Sequence, residues 1–78
     1  MRVTTSGRVR NYVAFASATL EATDDAALCV CGVDKAIAKA TSVVEILKRT
    51  CPVPFVQTTT LSRTADGKPQ IELHLSRS

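Results

Sequence analysis

One stretch constrains the fold more than any other: Gly32 to Arg49, reading Gly-Val-Asp-Lys-Ala-Ile-Ala-Lys-Ala-Thr-Ser-Val-Val-Glu-Ile-Leu-Lys-Arg. Ile37, Ala40, Val44 and Leu47 recur at steps of three, four and three, which puts them on one side of a helix as a core-facing stripe. Ala36, Val43 and Ile46 widen that stripe. Lys35 and Lys39 sit four apart at its flank, near the helix start. Cations there oppose the helix macrodipole, which favours them at the other end, where Lys48 and Arg49 stand. A bound phosphate would justify the placement, because a helix N-terminus already offers free N–H groups to anions. A solvated lysine pair is the alternative.

A chain of 78 residues, 45% of them hydrophobic, has room for one modest core and so for one small domain, residues 1–78. Its apolar runs fall short of the roughly 18 residues that span a bilayer, and a secretory signal is not evident. The expectation is a soluble, intracellular protein of the cytoplasm or nucleus, without a membrane partner. Cys29, Cys31 and Cys51 make no even disulfide framework and read as free thiols of a reducing compartment.

The formal charge is +3, unevenly spread. Arg2, Arg8 and Arg10 load the first ten residues, while Glu21, Asp24 and Asp25 collect further on. A basic pole opposite an acidic one points first to nucleic acid as partner.

Along the chain, Met1 to Thr5 reads as a short strand, with Ser6 and Gly7 as a turn and Ser6 as N-cap of the next helix. Val9, Val13, Ala16 and Leu20 give that helix, from about Val9 to about Ala22, its apolar stripe, with Tyr12 and Phe15 beside it as core or interface. Arg8 and Arg10 fall in its first turn, a second case of cations set against a dipole. Ala26 to Val33 is a nearly continuous apolar run and reads as a strand buried on both faces. Pro52 and Pro54 stop the main helix and suit the start of an edge strand, Phe55 to Leu61. Asp66-Gly67 signals a hairpin turn carrying Arg63 and Lys68. Ile71, Leu73 and Leu75 alternate with Glu72, His74 and Ser76, giving a last strand with one face on the core. The order β-α-β-α-β-β implies an α/β, two-layer domain with a right-handed parallel crossover and a terminal antiparallel hairpin.

Ser6-Gly-Arg-Val-Arg-Asn-Tyr-Val-Ala-Phe-Ala-Ser-Ala-Thr-Leu20, Gly32-x-x-Lys-Ala-Ile-Ala-Lys-Ala40 and Val44-Glu-Ile-Leu-Lys-Arg49, in that order, resemble the Alba family over nearly the whole chain. The Gly-Arg-x-Arg-Asn opening and the Glu-Ile-Leu-Lys-Arg ending are most similar to its eukaryotic branch. That branch includes the larger Alba-type subunit of RNase P and RNase MRP, and protozoan and plant proteins that bind messenger RNA.

The resemblance implies the fold of the C-terminal domain of bacterial translation initiation factor three, a homodimer or a heterodimer with a related Alba chain, and binding of RNA or DNA without catalysis. By family position, nucleic acid is gripped by Arg8, Arg10 and Asn11 at the first helix, Lys35 and Lys39 at the main helix, and Arg63 and Lys68 on the hairpin. Many relatives place lysine where this chain has Ser6 and Gly7, so its charge is displaced into Arg8 and Arg10. The expected interface comprises Val43, Leu47, Cys51 and Phe55, with Cys51 smaller than the apolar residue that supports dimer contacts in archaeal relatives. At Asp34 the family usually has glycine. As N-cap of the main helix, this carboxylate is expected to occupy the place of a phosphate and shift the grip toward Arg8, Arg10 and the hairpin.

The hairpin is short beside the DNA-entering arms of archaeal relatives, which favours RNA, read through backbone and shape, over the DNA of a chromatin protein. A module whose main task is to pair with another Alba chain is the other reading. Neither a nucleophile elbow nor a phosphate loop is present, and His74 lies far along the chain from any thiol. No enzyme activity, cofactor or metal is expected.

Overall fold

The computed structural model describes Met1–Ser78. Its elements are β1 (Arg2–Val3), α1 (Val9–Ala22), β2 (Ala27–Val33), a 3₁₀ turn (Asp34–Ala36), α2 (Ile37–Thr50), β3 (Phe55–Arg63) and β4 (Pro69–Arg77). They form one four-stranded sheet in the order β1-β2-β4-β3. β1 runs parallel to β2, whereas β4 pairs antiparallel with both β2 and β3. The parallel crossover, the terminal hairpin and the edge position of β3 all match the expected order.

Both helices contribute to one core. Ala16 and Leu20 of α1 and Ala40, Val43, Val44 and Leu47 of α2 meet Val3, Val30, Leu73 and Leu75 of the sheet, all buried. Removing side chains the size of Leu20, Leu47, Leu73 and Leu75 from water stabilises the fold by about 1.5–3 kcal/mol each. Gly32 permits the close packing of β2 on the 3₁₀ turn and α2. A Cβ there would lie 2.7 Å from the Ala36 carbonyl oxygen and 2.9 Å from the Ala40 Cβ.

Two layers, helices on one side and sheet on the other, leave the second sheet face open. β2 therefore departs from the expected strand buried on both faces. Val30 and Gly32 are buried, but Cys29, Cys31 and Val33, on the alternate side, are only partly covered. A continuous apolar run reads the same whether one or two layers cover it. Phe15, expected in the core or at an interface, is 57% exposed and so is not part of the core.

Asp34 is not the N-cap of the main helix. Its φ is 53°, in the left-handed region that favours glycine, and its side chain makes no capping hydrogen bond. Ala36 is the N-cap of α2 instead. Position 34 thus requires a left-handed backbone, which aspartate tolerates better than most side chains. Ser6 likewise does not cap α1: Arg8 is the N-cap residue, and no side chain bonds the first turn.

Candidate nucleic-acid interface

The register sets the basic residues at one end of the sheet. β1 and β2 both run toward the end where Val3 pairs with Gly32 and Val33 pairs with Gln70. The β1–α1 loop, the 3₁₀ turn with Lys35 and the β3–β4 hairpin tip all emerge there. Asp24 and Asp25 precede β2 at the opposite end, where Arg77 lies 3.7 Å from Asp24. The cations of the first ten residues thus gather at one end, whereas the opposite end mixes Glu21, Asp24 and Asp25 with Lys48, Arg49 and Arg77 and is not an acidic pole.

At the basic end, the first turn of α1 is uncapped and holds no acidic residue. The Asn11 and Tyr12 N–H groups return to the Arg8 carbonyl, whereas those of Val9 and Arg10 find no acceptor within the chain. Arg8, Arg10 and Asn11 are exposed, and neither arginine forms a salt bridge or a side-chain hydrogen bond. Free N–H groups with two unengaged guanidinium groups beside them have the chemistry of a candidate anion site. Lys35 is exposed and similarly unpaired.

Lys39 is different. Its Nζ donates to the Thr5 carbonyl at 2.5 Å and to the Gly7 carbonyl at 2.7 Å, tying the first turn of α2 to the β1–α1 loop. Tyr12 holds the same loop from the other side. The Thr4 N–H donates to its Oη at 3.0 Å, and the Thr4 hydroxyl lies 3.1 Å from it. These bonds lower the Tyr12 pKa below the usual phenol value. Gly7 packs so tightly that a Cβ would fall on the Tyr12 hydroxyl. Tyr12 and Lys39 therefore position Arg8. Neither role follows from spacing alone, because both depend on contacts between segments distant in the chain.

The hairpin cations are partly engaged. Arg63 donates through Nη1 to the Gly67 carbonyl at 2.7 Å, and Lys68 lies 3.8 Å from Asp66. Thr64 donates its hydroxyl to Asp66, which holds that carboxyl below the usual range. Gly67 has a φ of 85°, as this tight turn requires.

Of the expected interface residues, Val43 and Leu47 are fully buried in the chain's own core and so cannot face a partner. The helical stripe identifies burial without saying whose core fills it. Cys51 and Phe55 are partly buried beside an open groove of about 360 Å³ that also includes Pro52 and Pro54. A second groove, of about 610 Å³, runs between the helices past Val9, Val13, Ala14 and Ile46, with Arg10 on its lining.

The three cysteines are free thiols. His74, distant from them in sequence, stands opposite Cys29 in the β2–β4 register. Partial burial first, and then the charge of Glu72, push the Cys29 thiol above its usual range. No helix is long and apolar enough to cross a membrane.

The fold has counterparts among known proteins. The crystal structure of ALBA1 from Trypanosoma brucei superposes with a TM-score of 0.83 at 27% identity, covering 100% of this chain and 68% of that one. Alba from Thermoplasma volcanium superposes with a TM-score of 0.67 at 20% identity, covering 99% of this chain and 100% of that one. No curated protein sequence matches the chain. The Alba family model matches residues 1–64, which carry both helix openings and β3. With the order of elements and the motifs in agreement, the chain belongs to the Alba family of nucleic-acid-binding proteins.

Proposed function

We propose that this chain is a non-catalytic RNA-binding protein that grips backbone and shape through its basic end and acts as a dimer, with itself or with a related Alba chain. Its place is in ribonucleoproteins of the RNase P and RNase MRP kind or on messenger RNA, in the cytoplasm, the nucleus or both. The observation that carries this reading is the uncapped N-terminus of α1, where Arg8 and Arg10 stand exposed and unpaired beside two free N–H groups.

Two features favour RNA over duplex DNA. The hairpin tip is folded back on itself by the Arg63–Gly67 bond, so it is a compact contact and not a long arm. Phe15 lies seven residues after Arg8, on the same side of α1 and about 10 Å further along it. A ring 57% exposed at that place offers an unpaired base a stacking surface. Dimerisation is supported by the free edge of β3. Alternate residues of this nine-residue strand turn unpaired backbone groups to the free side, and Leu61 is 74% exposed and Val56 57%. Such an edge is normally covered, and a second chain would cover it.

Titration of a hairpin RNA with an unpaired loop and of duplex DNA of equal length, each with the wild type and Phe15→Ala, tests the proposal. RNA should bind more tightly, and Phe15→Ala should weaken RNA binding by about 1–3 kcal/mol while leaving duplex DNA unchanged. Equal affinity for both ligands, untouched by Phe15→Ala, contradicts the RNA reading. Failure to bind either at low salt, with dimerisation intact, favours an assembly module.

A further inference from the structure

On the open sheet face, away from the basic end, β2 and β4 place a thiol, a carboxylate and an imidazole together. Cys29 pairs with His74 across the strands, and Glu72 precedes His74 by two residues on the same face. Their ligand atoms all lie within 4.8 Å of one another. Cys29 Sγ is 3.8 Å from Glu72 Oε2, and His74 Nε2 is 3.7 Å from that same oxygen. We propose that Cys29, Glu72 and His74 form a binding site for a single divalent transition-metal ion of the zinc type, with water in the fourth position.

Three observations support the assignment. Two of the three separations, 3.8 and 3.7 Å, exceed by only a few tenths of an ångström the roughly 3.3–3.6 Å between neighbouring ligands of a tetrahedral ion with bonds of about 2.0–2.3 Å, and the thiol and imidazole lie within 4.8 Å of each other. The donor set, one sulfur, one nitrogen and one oxygen, suits a borderline-soft ion and not magnesium or calcium. The side chains project from two adjacent, hydrogen-bonded strands whose other faces carry core residues Val30, Leu73 and Leu75, which provides a rigid base.

Binding replaces the thiol proton with the metal. Sγ–H breaks, Sγ coordinates the ion as thiolate, and the proton leaves to solvent, while Glu72 coordinates as carboxylate and His74 as neutral imidazole. The ion would clamp β2 to β4, a role separate from the grip on nucleic acid.

Cobalt(II) titration of the reduced protein tests the site, read by thiolate-to-cobalt charge transfer and the visible bands of tetrahedral cobalt, followed by displacement with zinc. One equivalent should develop both bands, and zinc should abolish them. Cys29→Ser should remove the charge-transfer band. His74→Ala should weaken binding at least about a hundredfold, beyond what loss of an outer partner alone costs. All three side chains lie on the open face, and circular dichroism of each variant verifies folding. The ¹⁵N shifts of the His74 ring on zinc addition give a second readout in the wild type. Absence of a thiolate band, a band that survives Cys29→Ser, full affinity in His74→Ala, or an unshifted His74 ring overturns the proposal.

Discussion

The ammonium of Lys39, in the first turn of α2, donates to the carbonyl of Gly7, 32 residues earlier, at 2.7 Å. With the second bond to Thr5, it fastens the loop that carries Arg8. A lysine at a helix start, where the dipole disfavours it, is thus explained by two oriented backbone carbonyls as well as by any phosphate.

Lys39→Met keeps the aliphatic stem and removes the charge. Charge-assisted hydrogen bonds contribute roughly 1.5–3 kcal/mol, less when partly exposed, so the variant should lose about 1 kcal/mol of stability in urea unfolding. RNA affinity should fall through loosening of the loop, with the slope of log affinity against log salt nearly unchanged. A slope reduced by about one unit without loss of stability would instead make Lys39 a direct phosphate ligand.

Asp34→Gly decides between two readings of one position. A capping aspartate predicts a loss of about 1 kcal/mol on its removal. A residue at φ 53° without a capping bond predicts relief of left-handed strain, partly offset by the greater freedom of glycine in the unfolded chain. The expected outcome is a gain of up to about 1 kcal/mol, measured by chemical denaturation. Loss of stability would restore the cap.

At the hairpin tip, the Thr64 hydroxyl holds Asp66 below its ordinary carboxyl range. Since the folded pKa is depressed, the contribution is fully present above the unfolded value and fades as pH falls through the folded one. Carboxyl NMR should show Asp66 titrating at lower pH than in Thr64→Ala, with the Thr64 and Gly67 amide signals changing over the same acidic window. Identical titration in the two proteins would exclude the hydroxyl as the cause.

Stripes made the helices legible in the sequence. Ala16 with Leu20 and Ala40 with Val44 and Leu47 are buried as their spacing predicts, and Ile71, Leu73 and Leu75 alternate into the core. Periodicity reports burial, however, and not ownership, which is why Val43 and Leu47 read equally well as a partner's surface. Exposure of Phe15 and of the Cys29 side of β2 depends on how many layers the fold has, and no local pattern carries that. The meeting of Cys29 with His74 depends on the pairing of strands far apart in the chain. The arginine pair was legible because it violates a local electrostatic preference, which only a feature outside the helix explains.

If Arg8 and Arg10 grip phosphate at the start of α1, the salt dependence of RNA binding reports it most directly. The comparison is between the wild type and the Arg8→Ala, Arg10→Ala double variant, with stability followed in parallel. Neither side chain has a protein partner, so stability should change little. The log–log slope should become shallower by about one to two units, about one for each phosphate no longer neutralised, and affinity at low salt should fall with it. An unchanged slope with unchanged affinity would contradict the grip at α1 and move it to another surface.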